Sequence, residues 1–156
     1  MPEIQRNFHA YNGTKLWYAT TDNEPSSTPD TASQTDWTQI ACITSAPDIG
    51  GEPNDIDTTN LDNTEYETAI LGLKPVQKYT FEFNLEDPAS TANMYLASQL
   101  EDNGTDAWWY YKLSNGIVVK FQSKVSTTIL GGGSQDLLKF SMTLAPKSEP
   151  TVVITV

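Results

Sequence analysis

Apolar residues recur at every second position in three stretches of this chain, and that period leaves few folds open to it. In residues 79–85, Tyr79, Phe81, Phe83 and Leu85 fall on one face, while Thr80, Glu82 and Asn84 fall on the other. In residues 117–130, Ile117, Val119, Phe121, Val125 and Ile129 share a face opposite Lys120, Gln122, Lys124, Ser126 and Thr128. A third run aligns Leu138, Phe140, Met142 and Leu144. A strand sends successive side chains to opposite faces, so each run reads as a half-buried strand. Asn115-Gly116 lies between residues 107–113 and the long run, the residue pair that favours a tight hairpin. Lys15 to Thr20 reads as a first strand and Thr151 to Val156 as a closing one. The expected fold is mainly β, an antiparallel sandwich or barrel-like arrangement with long loops. One helix is expected at about 88–101, with Asp87 as its cap, Pro88 at the first helical position and Asn103-Gly104 as its end. Ala89, Ala92, Leu96 and Leu100 form its apolar stripe, with Tyr95 beside it.

Residues 37–84 give the chain its organisation. A strand begins at Trp37, turns through Pro47, Gly50, Gly51 and Pro53, resumes near Asp55 and Ile56, and returns through Ile70-Leu71-Gly72-Leu73 to the strand at Tyr79. Glycines accept a positive φ without steric cost and the prolines stop either strand from running on. Residues 1–13 form an unpatterned N-terminal arm. Residues 21–36 are almost wholly Thr, Ser, Asp, Asn, Glu and Pro, too polar to pack by themselves and expected to order against a neighbour. The 156 residues are enough for one domain spanning 1–156 with a substantial core. No apolar run approaches a membrane span, and Met1 to Arg6 lacks the plan of a signal peptide. The single cysteine, Cys42, fits a reducing compartment and reads as a buried structural thiol within a strand.

Charge is unevenly placed. The formal balance is −11, and all of it arises between Leu16 and Leu73, where eleven acids stand without a Lys or Arg. The remaining segments hold nine acids and nine bases. Such a surface repels phosphates, which argues against nucleic-acid binding by this half; it reads either as a solvated acidic surface that maintains solubility or as one that must face DNA without adhering to it.

Chemistry is sparse. His9 is the only histidine and lies in the arm, where nothing positions it for nucleophilic catalysis. Gly131-Gly132-Gly133 lacks a following Lys-Ser and reads as a turn. Asp55, Asp57 and Asp62 do not have the spacing of a calcium loop. No catalytic, cofactor or metal site is assigned. Trp108-Trp109-Tyr110-Tyr111 splits by alternation into two pairs on opposite faces. One pair then enters the core and the other packs on the helix or a neighbouring subunit. The alternative is a non-catalytic carbohydrate-binding β-sandwich using Trp37 and Trp108 to Tyr111 as a stacking platform.

The order of motifs in residues 37–84 resembles a known family. Trp37-x-x-Ile40, Ser45-x-Pro47-x-Ile49-Gly50-Gly51-x-Pro53, Ile56-x-x-Thr59-x-Leu61, Gly72-Leu73 and Phe81-x-Phe83-Asn84 are similar to the major tail proteins of long-tailed bacteriophages. The segment 71–76 departs from the pattern, being less polar than expected. The resemblance implies a tail-tube fold and a structural virion protein, not an enzyme, that self-assembles into stacked hexameric rings. It implies assembly in the bacterial host cytoplasm and a tube through which DNA passes without specific binding. The implied partners are further copies of the chain and the tape-measure, tail-terminator and baseplate proteins, with no cofactor and no membrane. Joined to the charge map, it makes Asp55, Asp57, Asp62, Glu65 and Glu67 the candidate lumen-facing acids. The candidate inter-subunit or inter-ring contacts are Asp22, Glu24, Asp30, Asp48, Glu52, Trp109, Tyr111 and Val153, with residues 21–36 and 45–53 between rings.

Overall fold

The computed structural model describes residues 8–29, 36–50, 55–57, 69–72 and 77–155. Its centre is an eight-stranded antiparallel sheet in the order β2-β1-β7-β8-β9-β6-β3, with a further strand, β10, also pairing with β8. The strands are β1 (Lys15–Ala19), β2 (Thr38–Ile40), β3 (Ile43–Ser45), β6 (Tyr79–Asn84), β7 (Ala107–Lys112), β8 (Val118–Ile129), β9 (Lys139–Pro146) and β10 (Thr151–Val153). A separate two-stranded ribbon pairs β4 (Asp55–Asp57) with β5 (Ala69–Leu71), and one helix, α1 (Asn93–Asn103), lies between β6 and β7.

Alternation determines which face is core. Leu16 and Tyr18 stand beside Tyr111 and Trp109 in register, and those stand beside Val119 and Phe121. Val125 continues that face on β8 and sits opposite Leu144, which in turn sits opposite Tyr79. All of these side chains are buried in one cluster, together with Ala97 and Leu100 of the helix. Phe83 and Phe140, cross-strand partners, stack with ring centroids 5.0 Å apart. Burying aromatic and branched side chains of this size contributes about 1.5–3 kcal/mol each relative to exposure.

The sheet rolls but its ladder does not close into a barrel. Among the described residues β2 pairs only with β1 and β3 only with β6, so they are the two terminal strands of the order. Only Ala41 and Cys42 lie between them, and three Cα–Cα steps span at most about 11 Å. The two ends of the sheet are therefore brought side by side by a single kinked segment. The kink falls at Cys42, whose φ of 69° is left-handed and unusual for a residue with a side chain. Asn93, buried at the start of α1, locks the seam. Its Nδ2 donates to the carbonyl oxygens of Ala41 at 3.0 Å and Asn84 at 2.8 Å. The Asn84 N–H donates to the Cys42 carbonyl at 3.0 Å.

Several expectations are corrected here. The helix starts at Asn93, with Ala92 as an extended N-cap residue that makes no side-chain cap bond. Asp87 and Pro88 precede a separate turn closed by Ala92 N–H donating to Ala89 O, so Ala89 is exposed. The C-terminal end falls at Gly104 as expected, in the left-handed conformation at φ 61°. Cys42 is exposed at the seam instead of buried in a strand, because the kink turns its side chain outward. Its thiol reaches Glu86 Oε1 at 3.5 Å, and partial burial and that carboxylate push its pKa up. Residues 21–29 bury none of their side chains, and polar contacts tie them down. They run as a strap across the outer face of the sheet. Trp37 Nε1 donates to Ser27 O at 2.9 Å, Ser27 Oγ to Asp36 Oδ2 at 3.2 Å, and Glu24 pairs with Lys120 at 3.6 Å. Residues 1–7 and 30–35 lie outside the described set.

Candidate assembly surfaces

The aromatic run on β7 is divided by alternation as expected. Trp109 and Tyr111 point into the rolled core, while Tyr110 joins Trp17, Ala19, Trp37 and Val118 in a second cluster on the outer face, with Trp108 packed against it. Tyr110 meets Trp17 edge-on at 5.8 Å, and Lys120 lies over the Tyr110 ring at the same centroid distance. Trp109 and Tyr111 are 0% and 1% exposed, so neither presents a side chain to a neighbouring subunit, which corrects that expectation. With Trp37 and Tyr110 also enclosed, Trp108 alone among these aromatics is partly open, so they do not form the stacking platform expected for sugar rings.

Burial also leaves its mark on titration. The Tyr111 hydroxyl has no hydrogen-bond partner among the described residues, and burial, then the nearby Tyr11, pushes its pKa up to about 12. Tyr18 and Tyr79 are raised for the same main reason, opposed by a bond from Thr38 in one case and from the Gly50 backbone in the other.

The open surfaces lie at the ends of the long strand β8. At its C-terminal end Ile129, the last residue of β8, and Leu137 and Leu138 of the β8–β9 connection are 66%, 70% and 73% exposed. The ladder holds this hairpin together as far as Leu130, whose N–H donates to Lys139 O at 3.0 Å. The turn is fixed by Asp136, whose Oδ2 accepts from the Gly133 N–H at 2.8 Å. Ile129 and Leu138 were expected on the core face. Both lie beyond the enclosed part of the sheet, so the period continues after the core has ended.

At the other end, β10 takes up the edge of β8 that β9 leaves. Ser123 is opposite Pro146, and after an irregular stretch Lys120 is opposite Thr151 and Val118 opposite Val153. Lys147 anchors that stretch by its N–H to Gln122 O and its ammonium to Asp106 Oδ2 at 2.6 Å. On β10 and just after it, Val152, Val153 and Ile154 are 52%, 36% and 64% exposed. The other side of β10 pairs with no strand among the described residues. The C-terminal strand is shorter than the sequence pattern, ending at Val153.

Of the remaining candidate contacts, Asp22 and Glu24 are exposed on the strap and Asp48 on the segment after β3. Asp30 and Glu52 lie outside the described residues, as do Asp62, Glu65 and Glu67. Asp55 and Asp57 are placed on β4 by backbone pairing, with Asp55 opposite Leu71 and Asp57 opposite Ala69, and their side chains are outside the description. Sequence reading missed the apolar hairpin tip. The adjacent pair Leu137-Leu138, which breaks the two-residue period, was the available signal. Among the described residues no group of three or more His, Cys, Asp or Glu side chains is placed to hold a metal ion, and no helix is long and apolar enough to cross a membrane.

A rolled antiparallel sheet with an open strand edge, apolar side chains at both ends of its longest strand and a sealed aromatic interior defines a protein of assembly. The chain belongs to the lambda-like phage tail tube family, whose model matches residues 9–140. It is a structural tail tube protein. Solved structures share its fold. A chain of the anti-feeding prophage baseplate, six-fold symmetrised, superposes with a TM-score of 0.67 at 7% identity, over 96% of this chain and 97% of that one. A chain of the cap that terminates the anti-feeding prophage tube gives 0.60 at 12% identity, over 99% and 96%. A chain from the tail of an empty gene transfer agent particle, refined with C6 symmetry, gives 0.58 at 15% identity, over 81% and 92%. A search of curated protein sequences finds no match.

Proposed function

We propose that this chain, as one tail-tube domain over residues 1–156, closes into hexameric rings that stack into the tube through which phage DNA is ejected. The observation that carries this reading is the family match over residues 9–140 on a sheet whose β10 edge is open. The six-fold symmetry of the similar baseplate and tail structures supports the ring number. An open edge that repeats on each copy gives a head-to-tail interface, and such an interface closes into a ring when the rotation per copy permits.

In this reading the acids of residues 55–67, namely Asp55, Asp57, Asp62, Glu65 and Glu67, face the bore and keep DNA from adhering by like charge. Asp22, Glu24, Asp30, Asp48 and Glu52 lie between rings, and Val153 lies where the C-terminal strand meets the next sheet. The tape-measure protein occupies the bore during assembly in the host cytoplasm, and terminator and baseplate proteins bind the two ends. Electron microscopy of the purified protein over a concentration series, beside its solution mass, tests the proposal. Rings or tubes of constant bore are expected. A chain that stays monomeric when concentrated, even with its tail initiator present, overturns it.

A further inference from the structure

We infer that the apolar tip of the β8–β9 hairpin docks against the β10 edge of a second copy of this chain. The inference rests on the tube reading and assigns the two surfaces of one of its contacts.

Three observations carry it. First, β10 is open in more directions than an isolated strand tolerates. Val152 and Val153 point to opposite faces and both are exposed, Ile154 follows them into solvent, and one edge has no strand beside it among the described residues. The strand 151–153 carries no Lys, Asp, Glu or Pro, the residues that natural edges use against pairing. Second, Ile129, Leu137 and Leu138 form a second exposed apolar group, on a hairpin whose turn is held by Asp136. A hairpin with its turn held in this way and apolar side chains at its tip presents a partly preorganised surface, which lowers the entropy lost on docking. Third, the two groups lie at opposite ends of one strand. β10 pairs with residues 118–120 of β8, while the tip begins at Ile129. At about 3.3 Å per residue they are roughly 30 Å apart, so one copy cannot satisfy both. Two different apolar surfaces at the two ends of a rigid element make a heterologous contact, the kind that propagates from copy to copy.

Cross-linking between differently labelled copies tests it. In a Cys42→Ser background, one chain carries Leu138→Cys and another Ile154→Cys, and the two are assembled together and treated with a short bis-maleimide. A cross-linked dimer containing one chain of each kind is expected, in at least tenfold excess over either like dimer. Tubes that form without the mixed dimer overturn the inference. In the free subunit, the Leu138→Cys thiol is expected to react with a maleimide dye at the rate of an exposed cysteine and to be protected in tubes. Protection already present in the free subunit also overturns it, because the tip is then covered within its own chain. A Leu137→Lys, Leu138→Lys variant is expected to keep the parent melting temperature while losing assembly, and normal tubes from it count against the contact. Whether the unmodified chain forms rings or tubes is read separately. Failure there removes the tube reading itself, whereas tubes without the mixed dimer remove only this contact.

Discussion

Asn93 shows how much a single polar side chain can hold. It is nearly fully buried where the two ends of the sheet meet, and it satisfies the carbonyls of Ala41 and Asn84 with one amide while its own Oδ1 accepts from the Met94 N–H at 2.7 Å. Replacing it takes the amide donor away from two partly buried carbonyls. Asn93→Ala is therefore expected to lower unfolding stability by about 2–4 kcal/mol, read from the denaturant midpoint at unchanged slope. A loss under about 1 kcal/mol would mean that water replaces the amide at the seam. Tyr111 makes the opposite case. Its hydroxyl is buried without a partner, so Tyr111→Phe is expected to be neutral or to stabilise by up to about 1 kcal/mol at pH 7. The pH dependence follows from the direction of the shift. Its folded pKa lies near 12, above the ordinary value of 10.0, so the neutral form is favoured by folding. That stability is complete below pH 10 and is lost as pH rises from 10 toward 12. Alkaline unfolding followed by circular dichroism is expected to move to higher pH in Tyr111→Phe, with Tyr18 and Tyr79 setting what remains.

Among the elements, α1 separates what composition decides from what the fold decides. Its end is local chemistry. Gly104 N–H donates to Glu101 O at 3.1 Å and Thr105 N–H to Leu100 O at 3.2 Å, the double bond pattern that a left-handed glycine permits. Gly104→Ala is expected to cost about 1 kcal/mol, seen as a lower thermal midpoint without loss of cooperativity. The start was not legible in that way. Asp87-Pro88 is a good start signal, yet the helix begins at Asn93 because Asn93 is needed at the seam, and sequence carries no mark of a contact with Ala41, 52 positions away. The same distinction runs through the sheet. The period of two identified β6, β8 and β9 and the hairpin at Asn115-Gly116, since each depends on neighbours in the chain. Three things escaped it: the kink at Cys42, where a glycine would have advertised the positive φ, the break of one strand into β2 and β3, and the point at which the core stops along β8. The contact candidates Trp109 and Tyr111 failed for the same reason. Alternation says that two of four aromatics face each way, but only the direction of the roll says which pair is enclosed.

At the scale of the whole molecule, charge and apolar surface pull in opposite directions. Every copy carries a formal −11, assigned entirely to the segment between Leu16 and Leu73, and bringing copies together concentrates that charge. The contacts proposed to oppose it are apolar: the hairpin tip at Leu137 and Leu138, and the β10 edge at Val152 to Ile154, all exposed in the single chain. Salt acts on these two terms differently. The screening length falls from about 30 Å at 0.01 M ionic strength to about 8 Å at 0.15 M, so repulsion between copies is cut while apolar burial is not. Assembly is therefore expected to be slow or absent at low ionic strength and to accelerate as salt is added, with sulfate more effective than chloride at equal ionic strength because it also strengthens apolar burial. Light scattering and sedimentation of one protein stock across a salt series give the result directly. A rise of assembly with salt means that repulsion among the acids is the barrier and apolar contact the driving force. A fall means that the acidic half of one copy meets basic residues of the next, since only an attraction between opposite charges is weakened by screening.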